Sequence, residues 1–470
     1  MTDALTQDLR ALLGAAHVLT GEDAQPYLTD WRKLVQGNAR LVARPGTTDD
    51  VAAVMRLCAA HGVPVTPQGG NTGQVAGGVP GAEGDGVLLS LARLNRVRAI
   101  DTDNDTITVE AGCVLQSVQQ AAEAAGRLFP LSLGAEGSCM IGGNLGTNAG
   151  GTQVLRYGNA RELCLGLEVV LADGEIWHGL RGLRKDNSGY DLRDLFIGSE
   201  GTLGIITAAT LKLFPLPAAR CTALAALGSI HDAARFLARC RAGFHATLTG
   251  FELMSGACLR LVVETYSQQR APFATLDAPW YVLVEISDAE DEPHALARLE
   301  AVLGAALEAG EIADVAIAQS TAQADALWHL RESITLALAE DGKCLKHDVS
   351  LPVSAVPHFV ESTDAALQQH FPGVRNFTFG HLGDGNLHYN VARPEAADDA
   401  TLHAMQPGLS NLVHDAVHGL GGSISAEQGI GRVRTADLAR YKQPVELRLM
   451  RAIKQAIDPG GLLNPGVLLP

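Results

Sequence analysis

An α+β fold in two parts is predicted from three features of the sequence. Three long glycine-rich loops, 67–78, 142–151 and 198–206, crowd the first part of the chain. Pro215 and Pro217 then mark a boundary. Beyond them apolar strand runs alternate with helical runs, the pattern of an antiparallel sheet with helices on one face. The 470 residues suffice for two large domains with real cores.

The elements follow in order. Thr48 to Gly62 reads as a helix, because Val51, Val54, Met55 and Cys58 share one face and Gly62 stops it. Short strands are predicted at 63–66, 87–90 and 106–110, and a helix over 114–125 ended by Gly126. Asp173-Gly174 between the apolar runs 166–172 and 175–178 signals a hairpin. A β segment over 203–214 closes the first part. In the second part, helices are expected at 230–240, 293–306 and 322–339, and a buried strand at 280–286. A tail helix covers 445–457, and no internal repeat or low-complexity linker is visible.

Composition narrows the function. Gly is in excess, 51 of 470, without a collagen period, so it belongs to tight turns and to loops that let backbone approach a ligand. The net charge of −16 comes with no basic run, which excludes a nucleic-acid footprint but allows a locally cationic pocket for an anionic substrate. The eight Cys form no C-x-x-C pair and read as reduced thiols. The N-terminal residues lack the apolar stretch of a signal peptide, and no uncharged apolar run reaches the ~18 residues of a membrane span. A cytoplasmic enzyme without a transmembrane segment is expected.

Loops of Gly with Asn and Thr expose backbone N–H groups that suit a pyrophosphate and a flat ring. One such loop would be an ordinary turn; three in one domain favour a dinucleotide. Neither G-x-G-x-x-G nor G-x-x-x-x-G-K-[ST] occurs, so an NAD-type fold and a P-loop are unsupported.

Five segments carry a resemblance: Pro67-Gln-Gly-Gly-Asn-Thr-Gly73, Gly137-Ser-Cys-Met-Ile-Gly-Gly-Asn144, Thr147-Asn-Ala-Gly-Gly151, Gly166-Leu-Glu-Val-Val-Leu-Ala-Asp-Gly174 and Gly198-Ser-Glu-Gly-Thr-Leu-Gly-Ile-Ile206. Together they resemble the FAD-linked D-2-hydroxyacid dehydrogenases of the vanillyl-alcohol oxidase/p-cresol methylhydroxylase type, closest to the D-2-hydroxyglutarate dehydrogenases, over nearly the whole chain from about residue 38. The resemblance implies a two-part FAD-binding domain of the p-cresol methylhydroxylase type over 1–217, an α+β substrate- and metal-binding cap domain with an antiparallel sheet over 218–440, and a segment, 441–470, returning to the flavin. It implies non-covalent FAD, with Pro67, Gln68, Gly69, Gly70, Asn71, Thr72 and Gly73 around the pyrophosphate. Gly137, Ser138, Gly142, Gly143, Asn144, Thr147, Asn148, Gly151, Glu200, Gly201, Gly204, Ile205 and Ile206 would line the rest, with Asn464 in the returning motif.

A second site is expected around Phe379-Gly-His381-Leu-Gly-Asp-Gly-Asn-Leu-His388-Tyr389-Asn390. A two-residue turn at Asp384-Gly385 would set His381 directly opposite His388 on one sheet face, close enough for two imidazoles to meet one ion. Two surface histidines on a hairpin are the alternative. Zinc takes such nitrogens and often a carboxylate, for which Glu427 is the candidate. The resemblance implies His381, His388 and Glu427 as ligands of Zn2+, with Mn2+ the second choice. It further implies that Arg331, Thr335 and Lys346 bind substrate carboxylate, Arg331 and Thr335 from one helix face, with Asn390 beside the metal. Asp384 reads as a turn residue and His347 as structural.

Two departures stand out. The family usually has His as general base after the ligand Glu, where this chain has Gln428, which cannot take a proton at neutral pH; Gln428 then only orients substrate, or turnover is slow, or another base such as His347 substitutes. Met140 stands where relatives often have His. The expected reaction is oxidation of a small anionic D-2-hydroxy acid to the 2-oxo acid, D-2-hydroxyglutarate first and D-lactate second. The metal would acidify the hydroxyl and flavin would take the hydride. An electron-transfer flavoprotein or a quinone is expected as acceptor, and a homodimer as the assembly. A metal-dependent hydrolase, or a ligand-binding relative weakened through Gln428, are the rivals.

Overall fold

The computed structural model describes residues 4–469. It divides into two compact units. The first comprises the chain up to Gly150, Tyr157–Leu216, and everything from Glu427 on; the second comprises Gly151–Arg156 and Pro217–Ala426. Among the described residues no helix is long and apolar enough to cross a membrane.

In the first unit the strands are β1 (Val18–Leu19), β2 (Leu41–Ala43), β3 (Val65–Gln68), β4 (Val87–Ser90), β5 (Val97–Asp101), β6 (Thr106–Glu110), β7 (Arg127–Leu128), β8 (Cys164–Val170), β9 (Ile176–Gly179), β10 (Ile205–Lys212) and β11 (Phe214–Pro215). A four-stranded sheet runs β1-β2-β4-β3, with β2, β4 and β3 parallel, and a five-stranded antiparallel sheet runs β5-β6-β10-β8-β9. The helix Thr48–His61 starts on a reciprocal cap between Thr47 and Asp50 and buries Val51, Val54, Met55 and Cys58 in the apolar core that both sheets share. The Asp173-Gly174 turn joins β8 to β9 as expected. The stretch expected as a second glycine loop instead begins with a short helix, Ile141–Gly146. Its extended N-cap, Met140, bridges Val114, and that pairing starts the helix beside β6.

The five-stranded sheet carries a buried ionic cluster. Glu110 on β6 and Glu168 on β8 are bridged by Arg98, with Arg96 also on Glu110 and the Thr48 hydroxyl donating to Glu168. Burial alone would raise both carboxyls, but the arginine and hydroxyl partners outweigh it and hold both below the usual carboxylate range.

The second unit holds β12 (Ala219–Leu227), β13 (Leu248–Ser255), β14 (Trp280–Asp288), β15 (Asp314–Ile317), β16 (Cys344–Ser350), β17 (Arg375–His381) and β18 (Asn386–Ala392). They form one antiparallel sheet, β15-β12-β14-β13-β17-β18-β16. Helices cover both faces, not one. Ile230–Phe244, Glu292–Glu308, Val356–His370 and Asp399–Gly419 bury one face, while Gly256–Thr265, Thr321–Glu332 and Ile334–Asp341 bury the other. The long helix expected over 322–339 is two helices joined at Ser333, whose hydroxyl accepts the Gln269 amide. The chain re-enters the first unit at Glu427, ahead of the return expected at 441. Ser423 still pairs with Ser350 of β16, but the Ile430 and Gly431 N–H groups already donate to Glu200.

Candidate functional site

A cavity lies within the first unit. Its wall is built from the 67–78 loop after β3, from the 141–146 helix and the residues just after it, from the turn at 199–201, from the start of β10, and from Glu427 and Gln428. Pro67 through Gly73, Gly142, Gly143, Asn144, Thr147, Glu200, Gly201, Gly204, Ile205 and Ile206 are all on it. Gly137, Ser138, Asn148, Gly151 and Asn464 are not among its lining residues. Ser138 is exposed, and its backbone passes close to the loop: a Cβ on Gly70 would sit 2.1 Å from its carbonyl oxygen, so only glycine allows this approach. Asn148 accepts the Arg161 backbone N–H at 2.9 Å, and Gly151 belongs to the second unit. Asn464 is buried and donates to the carbonyls of Gly77 (2.9 Å) and Glu200 (2.7 Å), tying two wall segments together from outside.

The wall fits a flavin dinucleotide. Beyond Gly73, Gly143 and Gly146 an added Cβ would meet nothing within 4 Å, so backbone there borders open space where phosphates and rings can approach. Leu91, Leu133, Met140, Ile205 and Ile206 supply apolar flanks for a ring system. The Glu200 carboxylate is turned onto the N–H groups of Ile430 (2.8 Å) and Gly431 (2.7 Å); burial pushes its carboxyl up. It thereby tethers the segment carrying Gln428, whose Oε1 accepts a long hydrogen bond from Arg434 at 3.5 Å.

In the second unit, His381 and His388 come together with ring centroids 5.4 Å apart. The expected register is corrected: His388 lies opposite Phe379, not His381. The connection is a longer turn over 382–385, with Asp384 N–H donating to His381 O and Gly385 N–H to Leu382 O. A shift of two residues keeps side chains on the same face, which is why the histidines still converge.

Each histidine also faces a carboxylate directly across the sheet. Glu252 on β13 is the register partner of His381, and its Oε1 lies 2.7 Å from Nδ1. Asp348 on β16 is the register partner of His388, 3.5 Å from its Nδ1, and also accepts the Asn386 amide. His381 is therefore backed at Nδ1 by a hydrogen-bonded carboxylate, the arrangement that makes Nε2 the metal donor, while Asp348 stands at ion-pair distance from His388; this donor set fits a divalent ion. Asn390 and Lys346 pair in register on the same face. Glu427 stands one peptide bond beyond Ala426, whose N–H donates to Asp348 O.

Arg331 is buried, with Nε 2.9 Å and Nη2 2.8 Å from Glu252 Oε2 and its guanidinium stacked 4.8 Å from the Phe379 ring centre. Thr335 lies past the Ser333 junction, so the two do not share one helix. Burial works against the charge of Glu252, but His381 and Arg331 outweigh it and bring its carboxyl down to about 2. His347 projects to the opposite sheet face from His388, its ring nitrogens at Tyr389 O and Ser410 Oγ. Sequence reasoning missed Glu252 and Asp348; only strand pairing across the sheet could have found them.

Two family models match the chain: "FAD binding domain" over residues 39–179 and "FAD linked oxidases, C-terminal domain" over 216–468. The chain belongs to the FAD-linked oxidase family. Within it, the chain is 41% identical over 469 residues to a D-2-hydroxyglutarate dehydrogenase of Xanthomonas citri pv. viticola, covering 100% of this chain and 97% of that protein. It is 40% identical over 450 residues to the mitochondrial D-2-hydroxyglutarate dehydrogenase of Bos taurus, covering 96% and 80%. In fold it is similar to p-cresol methylhydroxylase, with TM-score 0.78 and 16% identity over 98% of this chain and 95% of that one.

Proposed function

We propose that this protein oxidises a D-2-hydroxy acid, D-2-hydroxyglutarate first and D-lactate second, to the 2-oxo acid, with non-covalent FAD and a divalent cation. The observation that carries the reading is the pair of carboxylate-backed histidines on one sheet face with Asn390 and Lys346. The full-length likeness to proteins named D-2-hydroxyglutarate dehydrogenase supports it.

FAD would supply the hydride acceptor, and an ion held by His381, His388 and Glu427 would supply a Lewis acid, zinc being favoured by two imidazoles and one carboxylate. The protein's own groups do the rest. Lys346 and Thr335 bind substrate carboxylate, and Arg331 contributes the guanidinium edge that Glu252 does not occupy. Asn390 orients the hydroxyl end. Gln428 has no group that titrates at neutral pH, so it positions substrate by hydrogen bonding and takes no proton. His347 is not the substitute base, because its ring lies on the other face of the sheet. An electron-transfer flavoprotein or a quinone would reoxidise the flavin.

The test is anaerobic mixing with D- and L-2-hydroxy acids while the flavin absorbance is followed. Bleaching by D over L, and by a dicarboxylic acid over lactate, is expected. Faster reduction by lactate reverses the substrate order; no bleaching by any 2-hydroxy acid overturns the reading.

A further inference from the structure

We propose that Glu252 is the positioning residue of this site, a single buried carboxylate that sets both the tautomer of His381 and the presentation of Arg331. The inference rests on the metal reading above and adds to it a residue that none of the sequence motifs includes.

The two oxygens of Glu252 are divided between two donors. Oε1 faces His381 Nδ1 at 2.7 Å, and Oε2 takes Arg331 Nε at 2.9 Å and Nη2 at 2.8 Å. Glu252 and His381 are direct register partners on β13 and β17, so their backbones fix this geometry and no long side-chain reach is needed. Phe379, two residues before His381 and so on the same face, carries the Arg331 guanidinium against its ring. A carboxylate only accepts hydrogen bonds, so Nδ1 must be the protonated nitrogen and Nε2 must carry the lone pair. The same carboxylate uses two of the guanidinium N–H vectors of Arg331, which turns the remaining edge in one direction. The ion and the cation for the substrate carboxylate are thus held in register through one residue.

Glutamine at this position is close to isosteric but has one acceptor and one donor end. If its oxygen stays on Arg331, its NH2 faces Nδ1 and forces the ring to the Nε2–H tautomer, which removes the lone pair an ion needs. If it flips, Arg331 is met by a donor and must move. Aspartate keeps the charge but is too short to reach both partners.

The experiment uses FAD-loaded protein stripped of metal by a chelator. Zn2+ is added against a competing chromophoric chelator, for the parent, His381→Ala, Glu252→Gln and Glu252→Asp. In parallel, 15N spectra of histidine-labelled, metal-free protein read the tautomer of His381. The parent is expected to take up zinc in a His381-dependent way and to show an Nδ1–H ring. Both Glu252 variants are expected to bind zinc about tenfold to a hundredfold more weakly, and Glu252→Gln to shift the ring to Nε2–H. If Glu252→Gln does not fold, judged by far-UV circular dichroism, Glu252→Asp alone decides. Zinc affinity unchanged within twofold in a folded variant overturns the inference and leaves the metal reading standing. Absence of His381-dependent zinc uptake in the parent overturns both.

Discussion

A histidine gives a metal one nitrogen, and its other nitrogen's partner decides which. In His381 that partner is the Glu252 carboxylate from the neighbouring strand, and Asp348 stands 3.5 Å from the same nitrogen of His388. Replacing either histidine by alanine, or stripping metal with a chelator, should therefore cut substrate reduction of the flavin at least about hundredfold while FAD stays bound, since the cavity wall belongs wholly to the first unit; absorbance at the flavin band measures both. Gln428 leads to a pH prediction. With no base there, the parent's reduction rate should follow ionisation of the substrate hydroxyl that the ion would acidify, and His347→Ala should leave the profile in place. Gln428→His should add a second step near the ordinary histidine value of about 6.5, with the rate rising as pH passes through it, because a base works only when deprotonated. A stopped-flow series from pH 5 to 9 checks the three proteins. Most residues of the cavity wall were legible because glycine loops announce themselves in sequence. Asn148 and Asn464 were not separable from the wall, since a residue bracing a loop from behind carries the same local pattern as one lining it. Glu252 had no local signal at all.

At the level of elements, the β17–β18 hairpin shows how far a turn motif reaches. Asp384-Gly385 marks that the chain turns, but not how many residues the turn takes, and the register moved by two. The face survived because strand periodicity is two. Gly385 has φ +84, and an added Cβ would lie 2.1 Å from Leu351 O. Gly385→Ala should lower stability by about 1–3 kcal/mol or more through strain alone and should weaken zinc uptake, read by thermal melts and metal titration. The five-stranded sheet offers a charge test. Glu110 and Glu168 have carboxyls held below their unfolded values, so their contribution is present above the unfolded value, about 4.3, and is lost as pH falls through the lower folded values. Arg98→Ala should cost about 3 kcal/mol at pH 7 by leaving two buried carboxylates short of a partner, and its deficit against the parent should shrink toward pH 3. Denaturant melts at several pH values give the answer. The break at Ser333 was illegible because Ser is tolerated within helices, and the contact with Gln269 that accompanies the break comes from a distant part of the chain.

On the scale of the whole molecule, the two-unit division was legible from Pro215 and Pro217, and the early return at Glu427 was not, since the Glu200 tether joins residues 230 positions apart. A chain stopped after Leu216 should not retain FAD through gel filtration, because it lacks Gln428 on the wall and Asn464 behind it; retention equal to the parent's would contradict this. The unit boundaries also have a consequence for biosynthesis. A ribosome delivers most of the first unit early, then the rest of the second unit from Pro217 to Ala426, and only afterwards Leu463 and Asn464, whose backbone completes the edge of β3 at Val65. For the time needed to translate about 250 residues, roughly 12–50 s at ~5–20 residues per second, the nascent first unit must wait with that edge and part of its core uncovered. The second unit has only Gly151–Arg156 to recruit from earlier in the chain. The half that holds the cavity is therefore completed after the other, and the cofactor has a complete pocket to enter only once the segment from Glu427 to Asn464 has left the exit tunnel.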